Sequence, residues 1–134
     1  MAFNTNQVVL DGFTQPGFAF TMFLKAGHGL TDDELIGRAV TLDTTADATV
    51  EVAGDGDAVY GRIFQVEDRS QEGVVTVTVE TRFRKRLKKA SGTTMARGDT
   101  AVGAGDGLVK SAAAADAAKN VVLSVASEYV IVEQ

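Results

Sequence analysis

Gly37-Arg38-Ala39-Val40-Thr41-Leu42-Asp43 returns 24 residues later as Gly61-Arg62-Ile63-Phe64-Gln65-Val66-Glu67. Both copies read glycine, arginine, two apolar residues, a polar residue, an apolar residue and an acid. Each copy has the length of one β-strand and begins at a glycine, the residue that most readily turns the chain. The repeat therefore predicts a small β domain built from strand-turn units.

Further strand patterns lie on both sides of this repeat. Many short strands separated by glycine- and aspartate-rich turns are typical of a small β-barrel or sandwich. Two of the turns have the same sequence, at 53–56 and 104–107. The fold predicted is mainly β, either a barrel or a sandwich, with one or two short helices. The strand patterns cover residues 18–24, 49–52, 74–83, 121–125 and 129–132.

One short helix is predicted by the sequence Leu30-Thr31-Asp32-Asp33-Glu34-Leu35. Thr31 and Glu34 have the spacing of a capping box, in which each side chain bonds to the backbone N–H of the other residue. Gly37 is expected to end the helix after one or two turns. The alanine-rich run at 111–120 predicts either a second helix or a surface loop.

Length and composition indicate one domain. A chain of 134 residues can bury a core of its own, and we expect an extended arm over 1–17 followed by a single β domain over 18–134. No window is apolar enough to span a bilayer, and the first residues lack the features of a signal peptide. The chain has no cysteine, which excludes disulfides, thiolate metal sites and a cysteine nucleophile.

The strand predicted over 74–83 leads into a cluster of positive charge. Alternate residues of this strand are apolar, so one of its faces is expected to be buried. The opposite face is expected to continue outward through Arg82, Arg84 and Arg86, which we call the basic stripe. Residues 82–89 hold six cations and no acid in a chain of net charge −5, so the remaining residues carry −11.

Two interpretations of the basic stripe stay open. Positive side chains on an edge strand block pairing with the sheet of another molecule. A row of arginines also suits bidentate pairing with the carboxylates of an acidic partner or of a second copy of the chain. Nucleic acid is not predicted as a partner, because single strands bind to basic residues interleaved with stacking aromatics, and Phe83 is predicted to face the core.

Residues that could support catalysis or hold a cofactor are few. The one histidine, His28, lies between two glycines, and no serine has a histidine and an acid in a suitable setting. Asp55 and Asp57 could bind a hard cation, but the spacing of a calcium loop is absent and a β-turn is favoured. The tripeptide at 97–99 matches an adhesion motif that ordinary turn chemistry also explains. The sequence predicts no enzyme, no cofactor and no metal site.

The order of these strands and turns resembles that of the head decoration, or capsid cement, proteins of tailed phages. In that family a strand of the pattern of residues 35–43 is followed by a glycine-aspartate turn and a second glycine-arginine strand. The resemblance covers about residues 30–132 and rests on strand and turn patterns, not on catalytic motifs. The segments that carry it are residues 35–43, 54–57, 61–63, 66–67, 72–74, 98–99, 105–107 and 129–132.

This resemblance implies a compact β fold of the β-tulip or jelly-roll-like kind and a mechanical function. Such proteins sit, usually as trimers, on the outside of an icosahedral shell and bridge neighbouring major capsid subunits after expansion. The expected partners are therefore the major capsid protein and further copies of the chain as a homotrimer, with no direct nucleic acid and no membrane. The expected location is the capsid exterior of a virion assembled in the host cytoplasm. The alternative from another class is a small carbohydrate- or ligand-binding β module.

The contact residues are predicted to lie in two places, the N-terminal arm and the basic stripe. Arms of this kind often add to shell contact in the family that the sequence resembles. Arg38 and Arg62 of the repeat are expected to support the scaffold and not to bind a partner. The predicted interface residues are Phe3, Val8, Val9, Leu10, Arg82, Arg84 and Arg86.

Overall fold

The structure is a computed structural model, and it describes residues 19–112 and 120–134. The described residues are mainly β, as predicted, with one α-helix, α1 (Asp32–Leu35), and a 3-10 turn at Ser70–Glu72. The helix has four residues, so no helix in these ranges could cross a membrane. The predicted arm over 1–17 and most of the alanine-rich run lie outside the described residues. The strands are β1 (Ala19–Leu24), β2 (Ala39–Leu42), β3 (Thr49–Val52), β4 (Gly61–Arg69), β5 (Val74–Glu80), β6 (Arg84–Lys88), β7 (Ala101–Gly105), β8 (Leu108–Ser111), β9 (Val121–Val125) and β10 (Tyr129–Glu133).

Five of the strands close into a barrel, and the others form two smaller sheets. The barrel order is β1-β3-β2-β4-β5, with β1 parallel to β3 and the other neighbours antiparallel. A three-stranded antiparallel sheet has the order β6-β10-β9, and β7 and β8 form a hairpin. The prediction of a small β-barrel is therefore confirmed.

The two copies of the repeat are antiparallel neighbours in the barrel. Ala39 of β2 pairs with Arg62 of β4, and Val40 pairs with Gly61. Gly37 has a φ of +85°, so the first glycine turns the chain as predicted. The same prediction is wrong for Gly61, where the need is for space: an added Cβ would lie 2.5 Å from a Val79 methyl carbon.

The capping box predicted for α1 is confirmed. The Glu34 N–H donates to the Thr31 hydroxyl at 3.3 Å, and the Thr31 N–H donates to the Glu34 carboxylate at 3.3 Å. These bonds satisfy N–H groups that the first turn of a helix otherwise leaves without partners. Leu35 is buried in the barrel core, and Leu30 packs against that same cluster. The helix is therefore packed onto the barrel core through Leu35.

The prediction of a strand over 74–83 is confirmed for 74–80 and wrong for 81–83. β5 ends at Glu80, residues 81–83 bend, and β6 begins at Arg84 in a different sheet. Phe83 does face a core, as predicted, but it is the core beneath the three-stranded sheet. Alternation of apolar and polar residues continues across the bend, so periodicity alone carries no sign of it.

The buried apolar side chains of the described residues form two hydrophobic clusters. One fills the barrel with side chains from all five of its strands and from α1. The other lies between the barrel and the two smaller sheets, and Leu87, Val122 and Val132 are among its fully buried members. Because inward and outward residues alternate along β6, burial of Leu87 directs Arg84, Arg86 and Lys88 to the opposite face.

Glu80 joins the barrel to the three-stranded sheet by ion pairs. Its carboxylate lies 3.2 Å from Arg62 Nη1 of β4 and 2.9 Å from Lys85 Nζ of β6. All three side chains are mostly buried. Burial lowers the pKa of Arg62, and the neighbouring carboxylate of Glu80 opposes that effect. Two cations therefore share the Glu80 carboxylate at this junction.

Glu80→Gln is expected to lower the free energy of unfolding by about 2 kcal/mol, because two poorly solvated cations lose their ionic partner. Urea unfolding measures the change. Glu67→Gln is the matched control, since Glu67 pairs with Arg69 on the exposed end of the β4–β5 hairpin. The control is expected to change stability by less than about 0.5 kcal/mol. Equal losses in the two variants would contradict a structural role for the junction.

Candidate interaction surface

The structure separates the predicted interface residues into three groups. Arg84 and Arg86 lie on the exposed face of β6, two residues apart, as their spacing predicted. Arg82 lies in the bend before β6 and is exposed. The apolar arm residues lie outside the described residues: Phe3, Val8, Val9 and Leu10. The expectation that Arg82, Arg84 and Arg86 continue one straight strand face is therefore wrong for Arg82.

The outer face of the three-stranded sheet carries several cations, and some of them contact an acid or an aromatic ring of the same sheet. Arg84 forms an ion pair with Glu133 of β10, and both side chains are about 40% exposed. The Arg86 guanidinium lies 5.6 Å from the centre of the Tyr129 ring, within the range of a cation–π contact. Lys88 is exposed at the end of the strand. We call Arg84, Arg86 and Lys88 the basic face.

β6 lies at the edge of its sheet, so the protective interpretation of the basic stripe fits as well as the binding one. Arg62 reaches this edge from the barrel, and its Nε donates to the Arg86 carbonyl at 2.9 Å. This bond satisfies one backbone acceptor that an edge strand would otherwise present to a neighbour. Arg62 therefore supports the scaffold, as predicted from the repeat.

A groove of about 360 Å³ runs between α1 and the basic face. Ile36 and Tyr129 give it apolar surface and are half-exposed. Thr31 lowers the pKa of Glu34 through hydrogen bonds, and Arg38 and Lys88 lower it further by charge. Cations outnumber acids among the lining side chains. The groove is lined by Asp33, Glu34, Ile36, Gly37, Arg38, Arg62, Arg86, Lys88 and Tyr129.

The two arginines of the repeat meet in this groove. Arg38 donates from Nε to the Glu34 carbonyl and from Nη1 to the Asp106 carbonyl, each at 2.9 Å. Arg38 thus ties α1 to the β7–β8 turn, while Arg62 ties β4 to β6. The expectation that both arginines support the scaffold is confirmed by these bonds. The same bonds place their charge along the groove.

Apolar side chains are also exposed on the barrel. Phe20 and Phe23 of β1 and Phe64 of β4 are each between 43% and 56% exposed. The Lys85 ammonium lies 4.7 Å from the centre of the Phe64 ring. Aromatic residues are enriched in protein–protein interfaces, so these three are candidate contact residues. The barrel therefore offers apolar surface in addition to the basic face.

The aspartates that could bind a cation, and the histidine considered for catalysis, already have hydrogen-bond partners. Asp55 bonds to Lys110 Nζ at 2.5 Å, and the Asp57 carboxylate accepts the Gly54 N–H at 2.9 Å. His28 Nδ1 accepts the Leu30 N–H at 3.0 Å. Across residues 19–112 and 120–134, no group of three or more histidine, cysteine or acidic side chains could hold a metal ion.

Asp99 of the adhesion-like tripeptide is engaged inside its own loop. Its Oδ2 accepts hydrogen bonds from the Ser111 hydroxyl at 2.7 Å and from the Ala96 N–H at 2.8 Å. These bonds, the first above all, lower the pKa of Asp99 below its usual range. The carboxylate therefore stabilises the turn before β7, which favours the turn interpretation of this sequence over adhesion.

Asp99→Asn is expected to flatten the fall of the melting temperature below about pH 4. A carboxyl with a depressed folded-state pKa contributes stability above the pKa of the unfolded chain, about 3.9, and loses it as the pH falls through the folded-state value. The measurement is a series of thermal melts of both proteins from about pH 2 to about pH 7. Ser111→Ala should reproduce part of the effect. Parallel curves for all three proteins would contradict this role.

The groove itself was not predicted from the sequence. Arg38 and Arg62 were identified only as scaffold residues, and Ile36, Lys88 and Tyr129 lie more than 40 residues apart along the chain. The one sequence feature that could have indicated the groove is the repeat. Antiparallel pairing of its two copies brings two glycine-arginine pairs to one place, but the bend that adds β6 has no periodic signature.

Comparisons with known proteins leave the family open. No protein-family model matches the chain, and a search of curated proteins returns no match to it. The groove, the basic face and the fold are therefore the observations on which a function is argued.

Proposed function

We propose that this protein is a structural protein of a tailed-phage particle that binds the outer surface of the icosahedral capsid as an oligomer. In this role it cements neighbouring major capsid subunits and stabilises the expanded head. The observation that carries the proposal is the basic face, Arg84, Arg86 and Lys88, exposed on a chain of net charge −5. A concentrated cationic surface on an acidic protein suits one specific acidic partner better than polyanions in general.

The fold supports this proposal. A small, mainly β domain with a closed barrel is the architecture that the resemblance to capsid decoration proteins implies. The exposed aromatics Phe20, Phe23 and Phe64 supply apolar contact surface, and Phe64 lies against Lys85. Interfaces combine aromatic residues and arginine at their centres with a polar rim.

The mechanism needs only modest affinity at each contact. A protein that binds the assembled shell, but not its separated subunits, stabilises the shell by mass action. An oligomer that contacts several subunits at once gains further through effective concentration. Since the basic face is solvent-exposed, the binding is expected to weaken as salt is raised. A decoration protein thus requires surface chemistry and no catalytic group.

Shell binding is tested by sedimentation. Expanded empty shells of the phage that encodes the protein are incubated with it, pelleted and assayed for bound copies. We expect saturable binding that falls between about 0.05 M and about 0.5 M salt, together with a higher temperature of shell disruption. Unexpanded shells and bovine serum albumin are the controls. Absence of bound protein at saturating concentration would refute the proposal.

The alternative function, a small carbohydrate- or ligand-binding β module, has one favourable observation. Tyr129 is 38% exposed and lies in a groove beside Asp33 and Glu34, and binding sites for sugars commonly combine an aromatic ring with carboxylates. Arg86 covers one face of that ring, which limits stacking of a sugar there. A glycan array, with thermal melts in the presence of each hit, separates the two functions.

A further inference from the structure

We propose that the groove between α1 and the basic face binds a short acidic segment of a partner protein, with one carboxylate above Gly37 and a neighbouring apolar side chain against Ile36. The inference deepens the proposed function and rests on it for the identity of the partner as the shell protein. The chemistry of the groove does not depend on that identity.

Gly37 lies in the groove lining beside the Arg62 guanidinium, and its lack of a side chain leaves the space next to that guanidinium open. A Cβ built at Gly37 would lie 3.3 Å from Arg62 Nη2, so any side chain at position 37 would stand over that nitrogen. The Arg62 side chain is 16% exposed and belongs to the groove lining. Its Nε and Nη1 already bond to the Arg86 carbonyl and to Glu80, which fixes the guanidinium in place. A fixed guanidinium is a preorganised donor for a carboxylate.

The charges of the two walls differ. Arg86 and Lys88 stand on the sheet wall, while Asp33 and Glu34 stand on the helix wall. The Glu34 carboxylate is held on the helix wall by its hydrogen bonds to Thr31 in the capping box. A carboxylate that enters the groove is therefore favoured on the side of the sheet and above Arg62. This asymmetry gives a bound segment one preferred position.

The apolar part of the groove lies beside the proposed position of the carboxylate. Ile36 is 50% exposed, directly before Gly37, and Tyr129 is 38% exposed on the opposite wall. An apolar side chain next to the inserted carboxylate would cover both of them. A volume of about 360 Å³ is at the low end of ligand-binding clefts, which suits two or three residues of an extended segment. The fitting sequence is an acid adjacent to an aliphatic residue.

The same walls disfavour nucleic acid. A phosphate chain along the groove would pass Asp33 and Glu34, whose charges repel it, whereas a single carboxylate on the sheet side avoids them. Arg86 already lies over the Tyr129 ring, where a base would have to stack. Charge complementarity thus favours an acidic peptide as the occupant.

The test is an NMR titration of the full ¹⁵N-labelled chain with the probe peptide acetyl-Gly-Glu-Leu-Glu-Gly-amide. The amides of Ile36, Gly37, Lys88 and Tyr129 are expected to shift together and saturably. The matched peptide with glutamine in place of both glutamates is expected to bind about tenfold more weakly. Lys88→Ser and Ile36→Ser, both at exposed positions, are each expected to weaken the acidic peptide severalfold. Lys110→Ser is the control variant and should bind it normally.

Three outcomes would overturn the proposal: shifts confined to other surfaces, equal affinity for the acidic and glutamine peptides, or tighter binding of an eight-residue oligothymidylate at the same amides. The result is separable from the proposed function. If the peptide shifted the groove amides but the protein did not bind to shells, shell binding would be refuted and the groove assignment would stand. Decorated shells together with no shift at the groove amides would refute the groove assignment alone.

Discussion

Gly103→Ala is expected to prevent stable folding, with the free energy of unfolding lowered by more than about 4 kcal/mol. A Cβ at this position would overlap the Gly54 carbonyl oxygen and lie 3.1 Å from the Ala53 side chain. The backbone cannot easily retreat, because the Gly103 N–H donates to the Asp57 carbonyl and the Gly103 carbonyl accepts from Gly56, at 2.7 and 2.8 Å. The change would separate β7 from the turn after β3.

Urea unfolding and the yield of soluble protein measure this effect. Gly92→Ala is the control, since its φ is +77° and nothing lies within 4 Å of the added Cβ. That variant carries only the strain of a left-handed backbone, about 1–2 kcal/mol. If Gly103→Ala were as stable as Gly92→Ala, the close approach of the two backbones would be contradicted.

Replacement of Arg82, Arg84 and Arg86 by glutamate is expected to abolish binding to expanded shells while the fold is retained. The three positions are exposed, and the pair between Arg84 and Glu133 lies at the surface, where its loss lowers stability by less than about 1 kcal/mol. Negative charge at these positions would repel the carboxylates that the proposal assigns to the partner. Sedimentation with shells measures binding, and circular dichroism checks the fold.

A variant with Lys25, Arg69 and Lys110 replaced by glutamate controls for net charge. These three cations are exposed, and each pairs with an acid elsewhere on the surface. The control is expected to keep most of its shell binding, because the same change in net charge falls outside the basic stripe. If the first variant still occupied the shells fully, the basic stripe would be rejected as a contact surface. If both variants lost shell binding equally, the effect would be assigned to overall charge.

Local chemistry made much of the fold predictable. The capping box of Thr31 and Glu34 and the turn at Gly37 depend on residues close in the chain, and the structure has both. Strand β3 was identified because alternation and turn residues agree, and β10 because a short apolar run follows residues 126–128. Within the described residues, the mainly β barrel follows from these short-range signals.

The features that could not be predicted from the sequence depend on packing between residues far apart in the chain. The bend over 81–83 was missed because Phe83 keeps the apolar phase of β5 while it enters a second core. Gly61 was expected to turn the chain, but its role is to admit Val79 and the Glu80 carbonyl, which belong to β5. The groove depends on both features. Its residues come together only because the bend after β5 places β6 in a second sheet beside the barrel.

The most direct test of the proposed function is an electron cryomicroscopy reconstruction of expanded empty shells saturated with the protein. We predict ordered density on the shell exterior, with Arg84, Arg86 and Lys88 facing the major capsid subunits and each oligomer in contact with more than one of them. Bare shells at saturating concentration, or bound protein with this face turned toward solvent, would contradict it.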